Sequence, residues 1–456
     1  MHSVPHAERA KTEAGHDSRG LVRRLGLFDA TMVVMGGIIG SGIFMNPSVV
    51  ARIVHTPALI LGAWCVGGII ALMGAFIYAE LSARRPEVGG QYAYIREAYH
   101  PVLAFAFGWS LFLISDCGGM AAVAMTFARY YLDLTGVGIP EWSIAVMVIV
   151  VLTTVNCLGV RTGGTVQNIL MVTKLLAIFI LIGVGLRATG IIESVTPQTE
   201  SSMSFGAIST FGAALVPVMF AYGGWQTACF IAGEIRSPEK NLPRGLLIGV
   251  LGVIALYVSV TYIYVHVLGA QGLAATTTPA SAVMRSVLGE TGAALIAVGI
   301  AISTLGFLSQ SILTAPRVYF AMADDGLFFK SVAYLHPKTR VPILAIAAQG
   351  ILTIIIALSG KYEQILSYVV SNDFVFFGLT ASCIFIFRRR ALQTVEGHTK
   401  FSMPGHPVTT VLFILVCLFI VGNTIYRYPA ETGIGVIIMV TSVPIYYFWR
   451  WWRRKG

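Results

Sequence analysis

Twelve apolar stretches divide this chain, each close to the length of a membrane-crossing helix, at 27–51, 58–83, 102–132, 141–158, 166–187, 205–232, 245–268, 292–322, 341–359, 364–387, 408–426 and 432–450. A helix needs about 20 apolar residues to cross roughly 30 Å of hydrocarbon. Barrel strands would be about ten residues long and alternate in polarity. These runs are uniformly apolar and about twice as long, so the fold class expected is all-α integral membrane with 12 transmembrane helices.

Composition agrees. Of the 456 residues, 56% are hydrophobic and 11% charged, with a mean hydropathy of +0.78. A soluble chain carries about 25% charge. That scarcity of charge excludes a water-soluble enzyme and a disordered chain, and collagen and a coiled coil are excluded because neither a Gly triplet nor a heptad runs through the chain.

The net charge of +10 comes from 31 Lys and Arg against 21 Asp and Glu. Placing the N-terminus in the cytosol puts 24 of the 31 on the cytosolic side, among them Arg84, Arg85, the Arg388-Arg389-Arg390 run and the basic C-terminus. The outer loops hold only Arg52, Arg187, Arg285, Lys361 and Arg427. That asymmetry follows the positive-inside rule and requires an even number of spans, with both termini cytosolic. The basic clusters are therefore bilayer flanks, and no nucleic-acid partner is expected. Residues 1–25 read as a disordered cytosolic tail. Arg23-Arg24 before an apolar run mimics a signal peptide, but the run is too long and no small-residue cleavage site follows.

The six cysteines (65, 117, 157, 229, 383, 417) all lie in apolar runs without CxxC or His partners, so they read as small buried apolar residues. The nine histidines lie in tails, loops or near span ends without ligand spacing. Neither a metal site nor a cofactor is expected, and no catalytic residues stand out.

Two spans carry interruptions. Span one reads Met35-Gly36-Gly37-Ile38-Ile39-Gly40-Ser41-Gly42-Ile43-Phe44, and span six reads Pro217-Val218-Met219-Phe220-Ala221-Tyr222-Gly223-Gly224-Trp225. Glycine weakens a helix interior by about 1 kcal/mol relative to Ala. Close packing of helices also uses glycine, and that is the reading for Gly67-Gly68 in span two. Spans one and six lie five apart, however, and an odd repeat inverts the second copy. Paired interruptions in inverted halves mark the binding site of a transporter. The halves are expected at 26–188 and 205–390, followed by helices eleven and twelve within 401–456.

An unwound stretch frees backbone groups that lipid cannot satisfy. The N-terminus of a following half-helix suits a carboxylate, and the C-terminal carbonyls of a preceding one suit an ammonium. A site with both fits a zwitterion, meaning a free amino acid. Three charges lie well inside spans: Asp116, Lys174 and Asp373. Each costs several kcal/mol in lipid and so should face the interior. Lys174 reads either as a coupling or proton-carrying cation beside the breaks, or as a structural bridge to their carbonyls. Asp373 reads as a pocket wall or a capped structural polar group, and Asp116 similarly.

On the residues Gly36–Phe44, Tyr78-Ala79-Glu80-Leu81, Gly89-Gly90-Gln91-Tyr92, Phe220–Trp225, Glu234-x-x-x-Pro238-x-x-x-x-Pro243-Arg244 and Arg317–Ala323-x-Asp325-Gly326, the sequence resembles the amino acid–polyamine–organocation (APC) superfamily, in its L-type amino acid transporter-like branch. The match covers spans one to ten. The resemblance implies a LeuT-like 5+5 inverted repeat with helices one and six broken, and alternating access. It implies that the substrate carboxylate meets the backbone around Gly40, at Ser41, Gly42 and Ile43. The ammonium would meet carbonyls near Ile38 and from Phe220 through Ala221 to Tyr222. Phe220 would be an aromatic gate and Gly223 would shape side-chain space. Lys174 would replace a sodium site, which implies sodium-independent exchange or proton coupling.

The animal members bond a heavy-chain partner through a Cys in the second outer loop. The matching loop at 133–141 has none, so no disulfide-linked heavy chain is expected. The function expected is secondary transport of L-amino acids, neutral ones first, at the cell membrane. Asp373 departs from the branch pattern and keeps cationic amino acids or polyamines open. A channel or a membrane-embedded enzyme are the readings from other classes.

Overall fold

A computed structural model describes residues 23, 25–86, 89–158, 164–188, 205–334, 336, 341–359, 362–391 and 401–455. The tail expected at 1–25 lies almost wholly outside these residues. Among the described residues the only extended pairing is one parallel bridge between Leu25 and Ile235.

The first half runs α1 (Leu27–Ile38), α2 (Gly42–Val54), α3 (Pro57–Arg84), α4 (Gln91–Ala98), α5 (Pro101–Ser110), a π-helical turn (Leu111–Ser115), α6 (Asp116–Thr135), α7 (Glu141–Cys157) and α8 (Gly164–Gly185). The second runs α9 (Phe205–Tyr222), α10 (Thr227–Phe230), α11 (Pro238–Ala275), α12 (Pro279–Thr314), α13 (Pro316–Asp324), α14 (Ile343–Ser359) and α15 (Tyr362–Ala391). Helices α16 (Val408–Arg427) and α17 (Pro429–Lys455) follow. Several helices open on proline at the first turn, where no backbone N–H is needed. At α3 the Thr56 hydroxyl also caps Leu59 N–H at 3.4 Å.

Among the described residues, eight helices or helix pairs are long and apolar enough to cross a membrane. Four shorter apolar helices, Glu141–Cys157, Met171–Gly185, Gly206–Tyr222 and Ile343–Ser359, lie within the remaining expected spans. The third is short because its helix stops at Tyr222, before the Gly223-Gly224 pair.

Helix α11 packs along α3 and α1, α9 along α2, and α12 along α6 and α8. Aromatic rings fix the first of these contacts. Trp64 of α3, Tyr222 of α9 and Tyr257 of α11 lie with ring centroids 5.1–5.7 Å apart. Helix α3 is continuous through Gly67-Gly68, as the packing reading requires. A Cβ on Gly67 would overlap Val218, and one on Gly68 would sit 3.0 Å from Ile254.

The cysteine expectation needs one correction. All six are free, but Cys65 is exposed and Cys157 only partly buried, because each lies on a face that the bundle does not cover.

Candidate functional site

Both expected breaks exist. Helix α1 ends at Ile38, Ile39 leaves helical geometry at ψ 84°, and α2 restarts at Gly42. Four glycines within residues 36–42 lower helicity locally, but close contacts give the stronger reason for glycine here. A Cβ on Gly40 would lie 3.0 Å from the Phe307 ring, and one on Gly42 would lie 2.5 Å from Ala221 Cβ. Helix α9 ends at Tyr222, and Gly224 takes φ +104°, a conformation that only glycine adopts readily. The two breaks touch: a Cβ on Gly37 would lie 2.8 Å from Gly224 O.

Freed carbonyls at membrane depth must find donors. Tyr257 Oη donates to Ile38 O at 3.0 Å, and Lys174 Nζ donates to Ile39 O at 2.5 Å. Gln310 Nε2 donates to Val33 O at 2.8 Å. Three helices, α11, α8 and α12, thus satisfy the end of α1. Ile38 O also accepts from Gly40 N–H, so both its lone pairs are used.

The start of α2 differs. Phe44 N–H bonds back to Ser41 O at 3.0 Å. The N–H groups of Ser41, Gly42 and Ile43 precede it and form the open first turn of a helix, which attracts anions. Across from it, α9 ends in the carbonyls of Phe220, Ala221 and Tyr222. Gly223 N–H reaches back to Met219 O and Phe220 O. Among the described residues no backbone donor takes Ala221 O or Tyr222 O.

Between the breaks lies a cavity of about 90 Å³. Of the residues expected to form the site, it brings together Ile38, Gly40, Ser41, Gly42, Phe220, Gly223, Asp116 and Asp373. Ile43, Ala221, Tyr222 and Lys174 do not line it. Tyr222 turns its hydroxyl to Trp64 O at 3.2 Å, into the aromatic cluster. Ala221 is covered by Gly42, and Lys174, 2% exposed, reaches the break from behind. These residues touch the site through backbone or through a neighbour. Phe220 is half-buried and meets the Tyr362 ring edge-on at 6.5 Å.

Sequence reasoning missed several walls: Ser115, Gln226, Thr227, Phe307 and Ser311. Gln226 Oε1 accepts from Gly224 N–H at 3.2 Å and so caps the second break. The π-helical turn places its extra residue just before Asp116, and such turns re-aim side chains at functional sites. Asn372 Nδ2 donates to Ser115 Oγ at 2.8 Å, and Gln349 Nε2 donates to Asp116. The polar pairs Ser115-Asp116 and Asn372-Asp373 in otherwise apolar runs were the only sequence signal for this wall.

Away from the cavity, Glu80 is a further charge within a span, 0% exposed. Arg388 grips it with two bonds of 2.9 and 2.7 Å, Arg84 with one of 2.8 Å, and Met403 N–H at 2.7 Å. This cluster ties α3, α15 and the segment before α16 together.

Fold and site together define a multi-pass membrane protein with a small polar cavity between two helix breaks. A family model described as amino acid permease matches residues 25–453, and the chain belongs to that family. It is 31% identical over 437 residues to the serine/threonine exchanger SteT of Bacillus subtilis, covering 94% of this chain and 98% of that protein. It is 30% identical over 456 residues to the human large neutral amino acids transporter small subunit 2, covering 98% and 84%. It is 28% identical over 455 residues to the human cystine/glutamate transporter, covering 98% and 89%.

Proposed function

We propose that this protein is a secondary transporter of free L-amino acids that works by alternating access at the cell membrane. The observation that carries the reading is the paired break: an open helix N-terminus at Ser41–Ile43 opposite the carbonyl end of α9, with a cavity between them. The first is complementary to a carboxylate and the second to an ammonium. The related proteins named above are exchangers or transporters of amino acids, which supports the same reading.

In this reading twelve helices span the bilayer, with α1–α2 and α9–α10 each counted as one broken span. Residues 26–188 and 205–390 form two inverted five-helix halves, helices eleven and twelve follow, and both termini are cytosolic. Lys174 stands in for a coupling cation, and transport is sodium-independent. Phe220 closes over the substrate, Gly223 leaves room for its side chain, and no disulfide-linked partner is needed. The chain is not an enzyme.

The test is counterflow in sodium-free proteoliposomes. Labelled amino acid should enter faster when unlabelled amino acid is loaded inside. Saturable uptake without such acceleration points to net symport, and unsaturable flux to a channel. Absence of any amino acid flux by folded protein rejects the reading.

A further inference from the structure

The cavity has an uneven charge. Two carboxylates, Asp116 and Asp373, border it from α6 and α15. Among the described residues no Lys, Arg or His lines it. The nearby buried cation, Lys174, is committed to Ile39 O and faces the break from the other side. A zwitterionic substrate adds no net charge, so it leaves both carboxylates uncompensated.

Hydrogen-bond bookkeeping points the same way. Asp116 accepts from Gln349, but Gln349 Oε1 is buried without a donor. Asn372 spends its amide N–H on Ser115, and its own Oδ1 is likewise buried without a donor. Ser41 Oγ, on the cavity wall and buried, also forms no hydrogen bond. Gln349 and Asn372 do not line the cavity, so of these groups it meets the Asp116 carboxylate and the Ser41 hydroxyl, and neither has a cationic partner there. Carboxylates largely withdrawn from water without a cationic partner are costly. A group that is both cationic and rich in N–H donors supplies that partner and can also bond the Ser41 hydroxyl oxygen. An ammonium supplies three donors and a guanidinium five.

We propose that the substrate is a dibasic amino acid. Its α-carboxylate and α-ammonium are held by the two helix breaks, and its side-chain cation lies between Asp116 and Asp373. This rests on the amino acid transport reading and adds the side-chain class to it. An aliphatic side chain in the same place would bury two anions against methylene groups.

The experiment compares uptake of labelled L-lysine and L-ornithine with that of L-norleucine, L-glutamine and L-serine by the full-length chain in proteoliposomes. Norleucine and glutamine match the length of the dibasic side chains without the charge. The wild type should prefer lysine or ornithine by about tenfold or more, the ratio given by about 1.4 kcal/mol of net ionic contact. Asp116→Asn and Asp373→Asn should each collapse that ratio, while Asp116→Glu, which keeps the charge, should retain it. Variants are compared only as monodisperse protein, and the wild-type ratio stands even if a variant does not insert.

Norleucine, glutamine or serine outpacing lysine in the wild type overturns the proposal while leaving amino acid transport intact. A lysine preference that survives both Asn substitutions removes the two aspartates from it. No flux of any amino acid overturns the transport reading and this proposal together.

Discussion

Gly37 and Gly224 meet backbone to backbone, although 186 residues separate them in sequence, and neither has room for a Cβ. A methyl group on Gly224 would overlap the Gly37 carbonyl, and one on Gly37 would lie 2.5 Å from Thr227 Oγ1. The two helix breaks are therefore one structure. Each is held open by the other as much as by its own glycines.

Gly224→Ala should abolish transport and lower thermal stability in detergent. Gly224 also has φ +104°, and a non-glycine residue there costs on the order of 1–3 kcal/mol before any clash. Gly62→Ala is the control, because nothing lies within 4 Å of its Cβ position. It should keep wild-type uptake. Equal uptake and equal melting temperatures for the two variants would refute the contact.

Gly42→Val should also stop uptake, though through a different cause from the one that a cavity position suggests. The Cβ direction runs into Ala221 rather than open space, so the substitution drives α2 off α9. It should lower thermal stability as well as flux. Gly223→Trp, whose Cβ meets only the Met219 and Phe220 carbonyls at 3.3 Å, should block uptake with a smaller stability loss. Melting curves and initial uptake rates for both variants check the difference.

Lys174→Ala removes the donor to Ile39 O and leaves a buried carbonyl bare, at a cost of about 1–3 kcal/mol. Transport should fall or change its pH dependence. Lys174→Gln separates charge from hydrogen bonding: recovery in this variant assigns Lys174 a structural role, and continued loss assigns its charge to the transport cycle. An unchanged rate and pH profile in Lys174→Ala would take the residue out of the mechanism.

Glu80→Gln should destabilise the protein strongly. Removing one partner of a buried ion pair costs about 3–5 kcal/mol, because the remaining charges lose compensation. Here Arg84 and Arg388 would face a neutral amide. A melting temperature within about a degree of wild type would show that the cluster contributes little.

Much of the site was readable in the chain. Gly36–Gly42 and Gly223-Gly224 announced the breaks, because local helicity depends on residues within one or two turns. Asp116, Lys174 and Asp373 stood out because a charge in an apolar run has few tolerable environments. Other features had no local signal. The contact of Glu80 with Arg388 spans 308 positions. The π-helical turn before Asp116 sits in Leu111–Ser115, a stretch with no unusual composition. Tyr222, adjacent to the break, points at Trp64 rather than at the cavity, and nothing in its neighbours distinguishes the two directions.

Residue types and their order thus established a lipid-embedded helical protein, the points where two helices fail, and a short list of charges that must face inward. They did so because hydropathy and backbone propensity act over one span at a time. Which walls the cavity has, that Asp116 and Asp373 share it, and that Lys174 serves the break from behind follow from how each helix is rotated against its neighbours. Rotation is set by side-chain packing between segments far apart in the chain, such as α11 on α3 and α9 on α2. Only their assembly fixes it.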